Sequence, residues 1–369
     1  MSFDSLMDTL LSRAINWDCP MSGDEFDTLA LKIFAYQYEH NAFYRRYCDA
    51  RRATAAGSQH DSQPVPSSWL EIPALPTNAF KRAEICCFPA ERRIAFFKTS
   101  GTTDGETGRH YFSTLAIYEA AIVPNFKQHL LPDEGRLRML ILTPPPAEAP
   151  HSSLVHMMKV VREHFGTDDS FYCLREGRWR ANDMLDALHQ SETAGEPVFL
   201  LGTAFAFVFM LDEMVARGAN FRLPEGSRVM ETGGFKGRAR EIPHAEFYAS
   251  LCGAFGIPPH RIVNEYGMTE LSSQFYDTSL ADGAPGNLKS VPPWTRVLIV
   301  DPLSGHPVPD GVPGLIRIVD LANLGSVIAL QTEDVGIMRG GKFEMLGRVA
   351  SAPPRGCSLA VEDLMNQQG

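Results

Sequence analysis

Short apolar runs closed by proline or glycine alternate with helix-length segments through the middle of the chain, and this alternation restricts the fold more than any other feature. Arg138-Met-Leu-Ile-Leu-Thr143 reads as a buried strand stopped by Pro144, Pro145 and Pro146. Val198-Phe-Leu-Leu-Gly202 reads as another, and Thr203 behind it can cap a helix that runs to Gly218. From residue 94 such strands and helices follow one another, which argues an α/β core with parallel pairing.

The pattern differs on either side of that core. Phe3, Leu6, Met7, Leu10, Leu11 and Ala14 recur at helical spacing. Ser22 with Glu25 is a capping-box pattern that opens a second helix through Leu29, Ile33 and Phe34. The stretch Ala53 to Ser67, rich in Ser, Gln, Gly and Pro, reads as an exposed loop. From Thr295 to Met345 the runs Arg296-Val-Leu-Ile-Val300, Gly314-Leu-Ile-Arg-Ile-Val319 and Val327-Ile-Ala-Leu330 are separated by Gly and Pro turns, so a small antiparallel or barrel-like subdomain is expected. The expected division is a helical part over 1–93, an α/β core over 94–294, a β-rich subdomain over 295–347 and a tail over 348–369. A chain of 369 residues suits two domains, or one large domain with subdomains.

Composition excludes several function classes. A net charge of −10 argues against nucleic acid as the main partner, because a phosphate backbone calls for a basic face. Met1 to Ile15 carries Asp4 and Asp8 and lacks the pattern of a signal peptide. The longest uncharged apolar stretch, Pro197 to Leu211, falls short of the roughly 18–20 residues a membrane span needs. The seven cysteines (Cys19, Cys48, Cys86, Cys87, Cys173, Cys252 and Cys357) are odd in number and irregular in spacing, which argues against a disulfide frame. A reduced, cytoplasmic protein with no membrane partner is expected.

Two segments carry chemistry. Phe97-Lys-Thr-Ser-Gly-Thr-Thr-Asp-Gly-Glu-Thr-Gly108 follows an apolar strand and clusters hydroxyls with backbone N–H donors, as a phosphate cradle requires. It lacks Walker spacing, and the same composition also serves an ordinary polar turn. Asn264-Glu-Tyr-Gly-Met-Thr-Glu270 sets a ring, a hydroxyl and a carboxylate within five positions, suited to adenine, phosphate and Mg²⁺. A strand end with a tight glycine turn would read the same way.

Together these segments resemble the adenylate-forming superfamily of acyl-CoA synthetases, peptide-synthetase adenylation domains and luciferase. Thr99-Ser-Gly-Thr-Thr103 is similar to its phosphate loop, and Gly233-Gly234 to the glycine pair flanking adenine. Tyr266-Gly-Met-Thr-Glu270 is similar to Tyr-Gly-x-Thr-Glu, Thr332-Glu-Asp334 to Thr-Gly-Asp, and Gly347-Arg348 to the hinge before the mobile C-terminal domain. Five motifs in this order over residues 97–348 are far more specific than any one. Pro73-Ala-Leu-Pro-Thr-Asn-Ala-Phe-Lys81 and Arg355-Gly-Cys-Ser-Leu359 resemble the acyl-protein synthetase branch of bacterial bioluminescence, with phenylacetate-CoA ligases further off. Short adenylating proteins of phenazine antibiotic pathways are similar in kind.

The resemblance implies an adenylate-forming N-terminal domain with two α/β subdomains and a small β-barrel-like subdomain, the C-terminal domain being reduced to a tail. It implies that a fatty or aromatic acid is activated as an acyl-adenylate, using ATP and Mg²⁺, and passed to a thiol or a partner reductase. The alternatives are an acyl-CoA ligase and a non-catalytic nucleotide-binding scaffold. Carried over, Ser100, Gly101, Thr102 and Thr103 hold the β- and γ-phosphates, and Tyr266 stacks on adenine. Thr269 touches the α-phosphate, Glu270 binds Mg²⁺, and Asp334 accepts from the ribose hydroxyls near Arg348. Cys357 stands where acyl-protein synthetases carry the acyl group as a thioester.

The chain departs from the family in two places. Only 21 residues follow Arg348 and the last lysine is Lys342, so the usual C-terminal lysine has no counterpart. Either Lys98, Arg109 or Lys236, beside the motifs, replaces it, or adenylation is slow, or a partner supplies the charge. Asp104-Gly-Glu-Thr-Gly108 also puts negative charge where a glycine and a lysine commonly follow. His151, Ser152 and Ser153 could line an acyl pocket or form a surface loop. Phe205, Phe207 and Phe209 are expected to be core, with one edge open to an apolar acid.

Overall fold

A computed structural model describes residues 1–55, 66–99, 107–133, 135–233 and 242–348. They divide into two compact units interleaved along the chain. One takes Met1–Ala121, Met268–Ser273 and Val291 onward, and the other Ile122–Gly267 with Gln274–Ser290.

The second unit is built on the apolar runs. Strands Phe275–Tyr276, Ile262–Tyr266, Arg228–Thr232, Val198–Thr203, Arg138–Ile141 and Phe171–Tyr172 lie side by side in that order. All neighbours are parallel except Phe275–Tyr276, which pairs antiparallel with Ile262–Tyr266. The central strand Val198–Thr203 is apolar up to Gly202 because the crossover helices cover it, and every residue from Val198 to Leu201 is buried. Helix Ala204–Ala216 starts where Thr203 Oγ1 accepts from the Ala206 N–H at 3.1 Å, and it ends two residues before Gly218. It packs Phe207, Met210 and Met214 with Phe247, Leu251 and Phe255 of helix His244–Phe255. The parallel strands end together, carrying Thr203, Thr232 and Tyr266 to one end of the sheet. In open α/β sheets that is where ligands bind.

The first unit holds the N-terminal helices and an antiparallel meander. The Ser22–Glu25 capping box forms in both directions, at 3.2 and 3.0 Å, and opens helix Gly23–His40. The next helix, Ala42–Ala55, runs on into the stretch read as a loop from Ala53, because helical continuity outweighs the weak local preference there; residues 56–65 lie outside the described set. Strands Thr295–Val300, Pro313–Asp320, Ala329–Arg339 and Lys342–Arg348 pair antiparallel in succession. Register shifts at Leu315/Arg317 and Val335/Gly336 bend the meander, as extra residues in a ladder do. Gly340 and Gly341, both at positive φ, close the last hairpin. The run at Val327–Leu330 leads into a strand, Ala329–Arg339, far longer than the run itself. The Thr332-Glu-Asp segment interrupts its apolar pattern and hides its length.

The six cysteines among the described residues are free thiols, and none of the described helices is long and apolar enough to cross a membrane.

Candidate active site

In the first unit, strand Ala95–Lys98 pairs with Arg109–Phe112 and forms the stem of the Ser/Thr/Gly loop. Thr99 closes that stem twice: its N–H donates to the Gly108 carbonyl at 3.0 Å, and its Oγ1 accepts from the Gly108 N–H at 2.8 Å. Lys98 and Arg109 face one another across the ladder, both exposed, with the Arg109 guanidinium 5.3 Å from the Phe96 ring centroid. Ser100, Gly101, Thr102 and Thr103 lie outside the described residues, as do Gly234, Lys236 and Cys357.

The segment Met268–Ser273 belongs to the same unit and is pegged on several sides. Thr269 Oγ1 donates to the Lys98 carbonyl at 3.2 Å, which ties the Tyr-Gly-Met-Thr-Glu motif to the loop stem. The Thr269 carbonyl lies 2.8 Å from His110 Nδ1, and His110 Nε2 lies 3.0 Å from Ser326 Oγ. Burial holds the His110 imidazole down at about 4, so it is neutral at pH 7. Those partners assign its proton to Nδ1, with Nε2 accepting from the Ser326 hydroxyl. The Glu270 carbonyl accepts from Asn323 Nδ2 at 2.9 Å. Buried Asp320 takes the Ser272 N–H and the Ser273 hydroxyl at 3.1 and 2.9 Å. The backbone bearing Thr269 and the largely buried Glu270 is therefore fixed by the side chains of His110, Asp320 and Asn323.

Asp334 and Arg348 are register partners on adjacent strands, with Arg348 Nε 3.7 Å from Asp334 Oδ1 and Arg348 Nη2 3.3 Å from Glu333. Thr332 Oγ1 accepts from the Asp334 N–H and donates to the Ile316 carbonyl, which fixes the turn of the Thr-Glu-Asp motif.

In the second unit, Gly233 follows strand Arg228–Thr232 with φ of 77°, a left-handed conformation suited to glycine. Tyr266 ends the neighbouring strand, its ring 6.1 Å from that of Phe275 and only 6% exposed. Behind these ends lies a buried polar cluster for which the sequence gives no signal beyond single polar letters in apolar strands: Glu231, Glu265, Asp277, Lys289 and Tyr248. Burial pushes Glu231 and Glu265 each up to about 7 and lowers the Lys289 ammonium.

Two expectations change. Ser152 is the N-cap of helix Ser153–Phe165, its Oγ accepting from the Val155 N–H at 3.3 Å, so its hydroxyl serves the helix. Phe207 is fully buried, whereas Phe205 and Phe209 are half-exposed, with Phe209 stacked on Trp179 at 5.4 Å.

Comparison with known proteins gives this arrangement a family. The model for "Acyl-protein synthetase, LuxE" matches residues 3–366. The long-chain-fatty-acid–luciferin-component ligase of Aliivibrio fischeri is 21% identical over 97% of this chain and 93% of the relative. Its Vibrio harveyi namesake is 23% identical over 89% and 85%. Among solved structures, an open 2-hydroxyisobutyryl-CoA ligase in complex with 2-HIB-AMP and CoA is similar at a TM-score of 0.62 and 14% identity, covering 89% of this chain and 76% of that one. Against ATP-bound MatB from Rhodopseudomonas palustris the TM-score is 0.49 at 18% identity, and the match spans about half of that protein, 49%, and 71% of this chain. A family model that runs nearly end to end, over an α/β architecture shared with adenylate-forming ligases, makes this chain a member of the LuxE acyl-protein synthetase family.

Proposed function

We propose that this ligase activates a long-chain fatty acid as its acyl-adenylate and hands the acyl group to a thiol or a partner protein. The observation that carries the reading is the Thr269–Lys98 hydrogen bond, which joins two motifs 171 positions apart beside the loop stem. A substrate carboxylate oxygen attacks the α-phosphorus of ATP, the bond to the β-phosphate oxygen breaks, and pyrophosphate leaves. A thiolate then attacks the acyl carbonyl and AMP departs. Catalysis of the first step is mostly positioning and charge neutralisation.

Ser100, Gly101, Thr102 and Thr103 grip the β- and γ-phosphates, with Thr269 at the α-phosphate. Lys98, Arg109 and Lys236 supply positive charge at the phosphates. Gly233, Gly234 and Tyr266 flank adenine, while Asp334 and Arg348 meet the ribose. Glu270 suits Mg²⁺, which takes one or two carboxylates plus phosphate oxygens and needs no all-protein cage; no such cage exists among the described residues. When bound, the ion would neutralise phosphate charge. Cys357 is the acceptor thiol.

ATP–pyrophosphate exchange with a panel of fatty and aromatic acids, the latter including phenazine-pathway types, tests this reading. Exchange stimulated by a long-chain acid supports it, and nucleotide binding without exchange for any acid refutes it. Radioactive acyl label on the protein should be lost in Cys357→Ala; unchanged labelling removes that role.

A further inference from the structure

The polar cluster of the second unit has a charge balance that the adenylation chemistry does not require. Four ionisable side chains there, Glu231, Glu265, Asp277 and Lys289, are each 6% exposed or less. Lys289 Nζ lies 3.7 Å from Asp277 and donates to the Asn264 carbonyl at 3.2 Å. Asp277 also accepts from the Asn264 N–H at 2.6 Å and from the Ser279 N–H and hydroxyl. With Asp277 and Lys289 forming that ion pair, two carboxyls remain, and among the described residues no second lysine or arginine faces them. From helix His244–Phe255 the facing groups are Tyr248, His244 with its ring tilted against that of Tyr248 at 4.0 Å, and Cys252.

Those two carboxyls join neighbouring strands. Glu231 and Asn264 are register partners, as are Thr232 and Glu265. Asn264 Nδ2 donates across to Glu231 Oε1 at 2.6 Å, where the Tyr248 hydroxyl also donates at 3.0 Å. In the opposite direction, the Thr232 hydroxyl donates to Glu265 Oε2. Glu265 Oε1 lies against Gly267, where any Cβ would overlap it. Both cross-links sit within two residues of Gly233 and Tyr266.

We propose that Glu231 and Glu265 are positioning residues for the nucleotide: the hydrogen bonds their carboxyls accept join the strand ends that deliver Gly233 and Tyr266, and the negative charge gained when both lose their protons drives those ends apart. This rests on the reading of Gly233 and Tyr266 as adenine contacts. If both ionised, the cluster would hold three carboxylates against one ammonium in a dry interior, and mutual repulsion would push the strand ends apart. Burial raises both carboxyls to about 7, which sets the range in which release occurs.

The test is ATP affinity of the full chain from pH 6 to 8.5, well below the melting temperature, with thermal melts of the nucleotide-free protein in parallel. Wild-type affinity should weaken about tenfold per pH unit above about 7, as the competent fraction falls. Glu265→Gln and Glu231→Gln keep the shape but cannot ionise, so their profiles should flatten relative to wild type. That comparison cancels the titration of ATP itself. Thr232→Val removes a donor that favours the ionised carboxylate, and its midpoint should move to higher pH. A flat wild-type profile, or Gln variants that superimpose on it, overturns the positioning role alone. No ATP binding at any pH, with a wild-type melting temperature that falls toward alkaline pH and Gln variants that do not follow it, overturns the adenine reading and the positioning role with it.

Discussion

Gly108 matters through the side chain it lacks. A Cβ there would stand 2.6 Å from the Phe80 carbonyl carbon and 2.9 Å from the Lys81 nitrogen, backbone atoms that cannot rotate aside. Gly108→Ala should therefore cost roughly 2 kcal/mol in urea unfolding, as overpacking does. It should also slow pyrophosphate exchange, because the Thr99–Gly108 closure of the loop stem would shift; unchanged stability and exchange would contradict the packing account. The glycine was legible in the sequence as part of a Ser/Thr/Gly loop. Its reason was not, since Phe80 lies 28 positions away. His110 gave no signal either: a single histidine in an aromatic strand looks like filler until its nitrogens are found on Thr269 and Ser326.

Among elements, helix Gly23–His40 is hydrogen-bonded to the loop after strand Pro313–Asp320 through Gln37, and its C-cap Asn41 adds a bond to the Ser326 carbonyl at 3.4 Å. Gln37 Nε2 donates to the Asn323 and Leu324 carbonyls at 2.9 and 3.1 Å, and its Oε1 accepts from the Ile328 N–H at 3.0 Å. Gln37→Leu leaves those backbone groups without their buried partner and should lower stability by roughly 3 kcal/mol. Because Asn323 also holds the Glu270 carbonyl, exchange should fall further than the loss of folded protein explains. A drop that tracks folded fraction alone would confine Gln37 to structure. Helix starts and strand cores were readable from local patterns: the Ser22–Glu25 box, Thr203, and the runs at 138 and 198. Helix and strand ends were less so, as at Ala53 and at Arg339, where ladder and helix bonds override the composition of a few residues.

For the molecule as a whole, stability sums groups whose protonation changes on folding. Glu231 and Glu265 at about 7 and Asp320 at about 6 are raised above their unfolded values, so they stabilise most below the unfolded carboxylate range and lose that contribution as pH climbs through the folded values. His110, lowered to about 4, works the other way: its contribution is complete above about 6.5 and disappears as pH falls toward 4. Three raised acids outweigh one lowered base, so unfolding free energy should decline by roughly 3 kcal/mol between pH 5 and 7.5. His110→Gln should steepen that decline by removing the opposing group. At the acid extreme Asp133 reverses the trend. Burial raises its carboxyl, but the bonds and charges of Arg228 and Arg261 outweigh burial and lower it, so its contribution is lost on acidification. Urea titrations across this range check the order; stability rising steadily from pH 5 to 7.5 would refute it.

By itself the sequence determined the alternation of strands and helices, their caps, the parallel core and the linear order of the five motifs, because each depends on residues a few positions apart. The tertiary structure alone decided which charges share a buried site, which histidine holds Thr269, and which glycines have backbone against them. Those outcomes depend on sheet order and register, which bring residues 159 or 171 positions apart within hydrogen-bonding reach. No local pattern encodes a partner at that distance, and burial, which moves the carboxyls of Glu231 and Glu265, exists only once the sheet has closed over them.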